Sequence, residues 1–340
     1  MLTLVVAAGW AVPAGAQVRT DERVDVARVL VDVRVTDNRG RPVHGLSASD
    51  FRVDIDGRRA RVESALWVGL SRRPGGQEGT GGSMPPQAGV AAPVGRLTVF
   101  MFQNSLDRSR IGGLLQMMRH SARFVDRFGP GDQGAVVVFD SRLRVWQDFT
   151  SDRKRLAEVL GRSVMFEQPH AEVSETVSLT ASLDRSAAEH AASTEAALKV
   201  LAAALGRIEG PKSLVIFGHG FGTFMPSPGS LTGLAVLDRD YEEARAALIA
   251  ARVTVFAMDV TDADTHTLET GLMTAAEETG GFYVKANEWQ SVAMDRLEGA
   301  LDGYYVLSAE RPVPTGGRHT IHVRTGAPHA TVSARRYYID

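Results

Sequence analysis

The sequence predicts an α/β fold: a doubly wound, mostly parallel sheet, joined to a small β-sandwich formed from N- and C-terminal strands. Three observations predict it. Apolar runs at Leu97–Phe102, Ala135–Phe139, Ser213–Phe217 and Val253–Val260 have the continuous hydrophobicity of strands covered on both faces. Between them lie segments whose apolar residues recur at helical spacing, such as Ile111, Leu114, Met118, Ala122 and Val125. At both ends of the chain the pattern changes to period two. Repeated strand–helix alternation argues a parallel sheet wound in both directions.

Each segment has its own justification. Leu2–Val12 is a short apolar run, followed by small residues at Ala14 and Ala16. That pattern fits a signal peptide over residues 1–16, matured near Gln17, and is too short to span a bilayer. Residues 23–70 read as the first part of the sandwich. Val29, Val31, Val33 and Val35 share one face, Asn38-Arg39-Gly40 turns the chain, and Phe51–Ile55 leads into the hairpin signal Asp56-Gly57. Ala60–Leu66 is the expected partner strand. Residues 71–95 are rich in Gly, Pro, Ser and Gln and read as a linker.

Residues 96–303 carry the strand–helix alternation. Gly129-Pro130-Gly131-Asp132 ends the first helix, and Arg142–Trp146 looks like a more exposed strand. Thr150-Ser151-Asp152 can cap the helix after it. Helices are expected over Ala196–Ile208, Tyr241–Ala251, Leu268–Thr279 and Trp289–Leu301, with a short strand at Phe282–Val284. Met165–His190 has few periodic apolar residues and reads as an insertion on the sheet's upper rim. Residues 304–340 return to period two and are expected to complete the sandwich, since neither end has enough apolar surface alone.

Composition narrows the function classes. The 340 residues include no cysteine, which removes disulfides, thiolate catalysis and zinc–sulfur sites. A formal net charge of −2 gives no field favouring nucleic acid or an anionic membrane. No later stretch reaches transmembrane length.

Sites in such sheets form at the carboxyl ends of central strands. Leu97–Phe102 ends in Gln103-Asn104-Ser105-Leu106-Asp107, and Ser213–Phe217 ends in Gly218-His219-Gly220-Phe221. Further pieces are Val31–Asp37, Gly45-Leu46, Asp50-Phe51, Gly131-Asp132, Asp148–Arg153, Gly210–Ile216, Tyr304–Leu307 and Val332–Tyr338. In this order the chain resembles the secreted von Willebrand factor A-related proteins common in acidobacteria. The resemblance implies a rim that grips a divalent cation such as Mg²⁺ with an Asp-x-Ser-x-Ser turn, a distant Thr and a later Asp. Here Gln103 stands at the first Asp, Ser105 at the first Ser, Asp107 at the last Ser, and His219 near the second Asp. Thr194, or Thr180 given the insertion, stands for the threonine. If a metal binds, Ser105, Asp107 and Thr194 are its ligands. Gln103 offers only an amide oxygen and His219 a nitrogen, which suits Mg²⁺ poorly. The expectation is therefore a degenerate adhesion site without a cofactor.

Other chemistry at these positions is weaker. Ser105, Asp107 and His219 contain the residue types of a nucleophilic triad, but no Gly-x-Ser-x-Gly elbow surrounds the serine. Gly218–Gly222 lacks the Gly-x-x-x-x-Gly-Lys spacing of a phosphate loop, so its glycines read as a sharp turn out of the sheet. No His-x-His or His-x₃-His pair suggests zinc. The expected function is an exported, non-catalytic protein-binding or assembly module, its rim formed by Gln103, Asn104, Ser105, Asp107, Thr194 and His219. The alternatives are a metal-dependent adhesion module and a hydrolase using Ser105 and His219.

Overall fold

The computed structural model describes residues 28–69, 95–163, 177–226, 233–287, 289–311 and 316–339. The expected export segment, nearly all of the linker and residues 165–176 of the insertion lie outside the described residues.

Strands β1 (Arg28–Thr36), β2 (Phe51–Ile55), β3 (Arg58–Ala60) and β4 (Val62–Gly69) come first. The four valines of β1 are all buried, as residues two apart on one strand face require. Asp56 and Gly57 both take positive φ to turn β2 into β3. The partner of β2 differs from the expected Ala60–Leu66. Of the expected strand only Ala60 pairs with β2, as the end of β3, and β4 crosses to another sheet. The cause is tertiary. Val62–Gly69 finds a longer antiparallel partner near the C-terminus, where Trp67 packs edge-on to Tyr305 with ring centroids 4.8 Å apart.

The central unit follows as β5 (Leu97–Gln103), α1 (Arg108–Phe124), β6 (Gln133–Phe139), β7 (Leu143–Thr150) and α2 (Arg153–Glu158). Short helices α3 (Leu179–Ser182) and α4 (Arg185–Glu189) precede α5 (Thr194–Gly206) and β8 (Lys212–Gly218). A hairpin of β9 (Thr223–Pro226) and β10 (Gly233–Val236) leads to α6 (Arg239–Ala250) and β11 (Val253–Asp259). The unit closes with α7 (Glu269–Thr279), β12 (Phe282–Lys285) and α8 (Gln290–Leu301).

Six of these strands form one sheet in the order β12-β11-β8-β5-β6-β7, parallel throughout except for β7. Every residue of β5, β8 and β11 is buried, with a separate apolar cluster on each face. The sequence order reverses between β5 and β8, so their carboxyl ends flank the crevice where doubly wound sheets place ligands. Of Arg142–Trp146, expected to be a more exposed strand, Leu143–Trp146 opens the largely buried β7, while Arg142 precedes it and is exposed. Leu179 and Ala188 of the short helices cover Leu143 and Phe149, while Leu156 joins Trp146 in the cluster on the opposite face.

The chain ends with β13 (Gly303–Glu310), β14 (Arg318–Thr325), β15 (Thr331–Ala334) and β16 (Tyr337–Ile339). They interleave with the first strands in two four-stranded antiparallel sheets, β15-β1-β13-β4 and β16-β14-β2-β3. Phe51, Val53, Ile55 and Ile321 from one sheet share a core with the β1 valines, Tyr305 and Leu307 from the other. Among the described residues no helix is long and apolar enough to cross a membrane.

A buried cation joins these end strands to the central unit. Arg34 of β1 donates from Nε to the Ala300 carbonyl (2.9 Å) and from Nη1 to Thr254 Oγ1 (3.1 Å). Its guanidinium also lies over the rings of Phe256 and Tyr304. Beside it, Arg252 grips Asp32 at 2.5 and 3.0 Å. Burial pushes the Arg34 pKa below its ordinary value, so this charge is held by geometry against its desolvation cost. Truncation of Arg34 to Ala strands the Thr254 and Ala300 acceptors. It is expected to lower unfolding free energy by about 3 kcal/mol in a urea titration.

Candidate functional site

Gln103 is the last residue of β5 and is 1% exposed. Its side chain makes four hydrogen bonds. Nε2 donates to Thr194 Oγ1 (2.7 Å) and to the Gly220 carbonyl (3.0 Å). Oε1 accepts from the backbone N–H groups of His219 (2.8 Å) and Gly220 (3.2 Å). The amide orientation follows from these partners, because a flipped group would set its NH₂ against two N–H donors. One side chain therefore ties the end of β5 to the first turn of α5 and to the loop after β8.

The surrounding backbone is shaped to admit it. A Cβ on Gly218 would stand 2.0 Å from Gln103 Oε1. Gly220 has φ +101°, and a Cβ there would lie 2.3 Å from the Leu268 carbonyl oxygen. Gly220 accepts only glycine, and at Gly218 any larger residue would displace the Gln103 amide. Phe221 then turns inward onto Tyr241, with ring centroids 5.8 Å apart.

The other expected rim residues are placed as follows. Asp107 caps α1, accepting from the Ser109 amide (2.8 Å) and hydroxyl (2.6 Å). Those bonds hold its carboxyl below the usual range. Ser105 Oγ accepts from the Asp107 amide at 3.3 Å. Asn104 donates its backbone N–H to Phe139, and its Oδ1 is buried without a partner. Thr194 reaches Gln103. Thr180 does not, because its segment is bound to Asp148, which accepts from Ser178 Oγ and the Leu179 amide. His219 is half-buried, with Nδ1 unpartnered. Among the described residues no hydrogen bond joins Ser105 to His219.

The donor set around Gln103 does not fit the cation that the resemblance implies. Both Oε1 contacts are N–H groups, Nε2 is a donor, and the Asp107 carboxylate is taken up by Ser109.

Two acidic features escaped the sequence reading. Glu195, next to Thr194, is buried, and burial raises its pKa. At the end of β11, Asp259 is buried; its Oδ2 accepts from His266 Nε2 and from the Tyr283 hydroxyl, each at 2.7 Å. Tyr283 also reaches Glu269 Oε2 (3.2 Å), and Lys285 pairs with the same oxygen (3.1 Å). An available signal was the His266-x-x-Glu269 spacing after a strand ending in Asp. A search for paired histidines passes over it.

No protein-family model and no curated protein matches the chain. Solved structures similar to it include a von Willebrand factor type A protein from Catenulispora acidiphila (10% identity, 93% of this chain, 75% of that one, TM-score 0.39). The ArnB paralog VWA2 from Sulfolobus acidocaldarius is also similar (10% identity, 91% of this chain, 75% of that one, TM-score 0.38). So is proximal thread matrix protein 1 from the mussel byssus (16% identity, 64% of this chain, TM-score 0.39), of which this chain covers 48%. The α/β assignment rests on the strand order given above.

Two outcomes follow from this geometry. Gln103→Leu leaves two buried N–H groups and a carbonyl without partners and is expected to cost about 3 kcal/mol of unfolding free energy. Gly218→Ala, which forces Gln103 out of place, is expected to lower the melting temperature comparably. For His219, burial and then the nearby Arg110 push the imidazole down to about 4. The unfolded chain titrates near pH 6.5 and takes up a proton that the fold resists. Stability should therefore fall by about 2 kcal/mol as pH drops from roughly 6.5 to 4. Denaturant titrations across that window should show this slope in wild type and lose it in His219→Gln.

Proposed function

We propose that this chain is an exported, non-catalytic binding module that offers the rim of its parallel sheet to another protein. Recognition there uses no divalent cation at the Gln103 position. The observation that carries this reading is the saturated Gln103 amide, which holds the rim loops together by neutral hydrogen bonds. In a metal-bearing rim an open coordination position on the ion would take a partner's carboxylate. Here the contact falls instead to apolar and neutral polar groups.

Such groups are present. Leu106, at the tip of the loop after β5, is 80% exposed. Phe224, Met225 and Val236 are exposed on the β9–β10 hairpin, which leaves the same loop as His219. Large apolar side chains exposed together at one edge are the usual material of partner contacts. Export rests on the Leu2–Val12 run and the small residues at Ala14 and Ala16. The interleaved end strands, taken as one β-sandwich, would serve as the stand for this rim.

The test is capture of a partner from the exported fraction by immobilised protein. Leu106→Asp and the double variant Phe224→Ser, Met225→Ser are expected to reduce capture at least about tenfold while leaving the melting temperature unchanged. Millimolar Mg²⁺ should alter neither quantity in wild type. Undiminished capture by both variants, or capture that requires Mg²⁺, would overturn the reading.

A further inference from the structure

We propose that Asp259, His266 and Glu269 form a binding site for one divalent transition-metal ion of the zinc class. The site uses none of the residues around Gln103, so it stands or falls separately from the function proposed above.

The placement comes from the end of one strand and a single loop. Asp259 is the last residue of β11, and Glu269 is the first of α7. His266 sits one turn before Glu269, whose backbone N–H donates to the His266 carbonyl at 3.3 Å. Residues three apart on such a turn present their side chains to the same side. One ligand atom from each of the three residues lies within 4.8 Å of the others, the sole such cluster among the described residues.

The donor chemistry selects the ion. One imidazole nitrogen and two carboxylate oxygens, with a position left open, is a ligand set that Zn²⁺ accepts. Mg²⁺ prefers oxygen throughout and keeps its waters. Charge points the same way. Asp259 is 1% exposed, yet its three donors are the Thr261 amide, the Tyr283 hydroxyl and His266, none a permanent cation. The permanent cation of the cluster, Lys285, pairs with Glu269 and also donates to the carbonyls of Ala263 and Asp264. A buried carboxylate without a permanent counter-charge is costly, and a dication supplies what is missing.

Two further observations support a ligand here. Thr261 is 8% exposed and its Oγ1 has no partner, while its backbone N–H is bonded to Asp259. The Tyr283 hydroxyl contacts both Asp259 and Glu269, the outer-shell arrangement that fixes ligating carboxylates. On binding, His266 gives up the Nε2 proton that it donates to Asp259, carries its ring proton on Nδ1 instead by exchange with solvent, and offers Nε2 to the ion. The present 2.7 Å separation of those two atoms then opens to roughly 3.3 Å, as ligands about 2 Å from a tetrahedral ion require.

The experiment titrates chelator-treated, full-length protein with zinc chloride, read by calorimetry and by thermal unfolding. Wild type is expected to bind one equivalent with a raised melting temperature and to be indifferent to excess Mg²⁺. His266→Gln and Glu269→Gln should weaken zinc binding by about a hundredfold or more. Lys285→Met, which removes a competing cation from a half-exposed position, should tighten it about tenfold. That variant keeps the test decisive if the ligand substitutions also unfold the chain. Absence of saturable zinc binding in wild type, or an affinity that none of the three variants moves, overturns the proposal.

Discussion

The crest of the sheet is held by one neutral amide. Where β5 and β8 diverge, the chain must bury the N–H groups of His219 and Gly220 and the carbonyl of Gly220 away from other backbone partners. Unpaired, each would carry a desolvation cost of about 1–3 kcal/mol. The glutamine side chain is suited to them because it brings an acceptor and a donor on one rigid plane. An aspartate at this position, one methylene shorter, would offer no donor to the Gly220 carbonyl or to Thr194. It would also bury a charge that calls for a cation. An amide here therefore serves the three backbone groups without burying a charge.

That constraint propagates outward. Gly218 and Gly220 are glycines because the amide and the Leu268 carbonyl fill the space a Cβ would take. Thr194 is held at the head of α5 by the same amide, so the first turn of that helix is placed relative to β5. On the other side, α1 is fixed by its Asp107 cap and by close approach of Gly113 to the Val260 carbonyl. The Asp262 amide donates to the Ser109 carbonyl at 2.6 Å, carrying the connection to the loop after β11. The carboxyl ends of β5, β8 and β11 and the heads of α1 and α5 thus meet at one edge, with His219 kept neutral among them by burial.

Features set by local periodicity were legible in the sequence. The β1 valines, the Asp56-Gly57 hairpin, the apolar runs within β5, β8 and β11 and the Asp152 cap each follow from spacing within a few residues. What failed depended on partners far along the chain. The split of β3 from β4 reflects the pull of β13, some 240 positions later. The burial of β7 comes from α3 and α4, short helices inside a segment with almost no apolar period. Gln103 was visible as a departure from a pattern, but its choice of Thr194 over Thr180 required the fold. The cluster of Asp259, His266 and Glu269 was hidden because it uses one histidine with two carboxylates. Its chelating geometry exists only once the Val260–Leu268 loop has closed over the strand end.

The two ends of the sheet carry different work, and the seam with the end strands explains how. Arg34 and Asp32 engage Thr254 and Arg252, at the amino end of β11. Arg336, next to β16, reaches Glu277 near the end of α7. Asp259 closes the same strand at its carboxyl end, five residues beyond Thr254. At about 3.3 Å per residue, that is roughly 16 Å away. The interleaved end strands therefore dock at the edge opposite the rim and leave its loops uncovered by their own strands. Arg252 and Arg336 are ion-paired across the seam and Arg34 is hydrogen-bonded there, whereas the exposed apolar groups Leu106, Phe224 and Met225 belong to the rim side. Buried arginine lies at one end of the sheet and exposed apolar side chains at the other, the arrangement that the proposed binding module calls for.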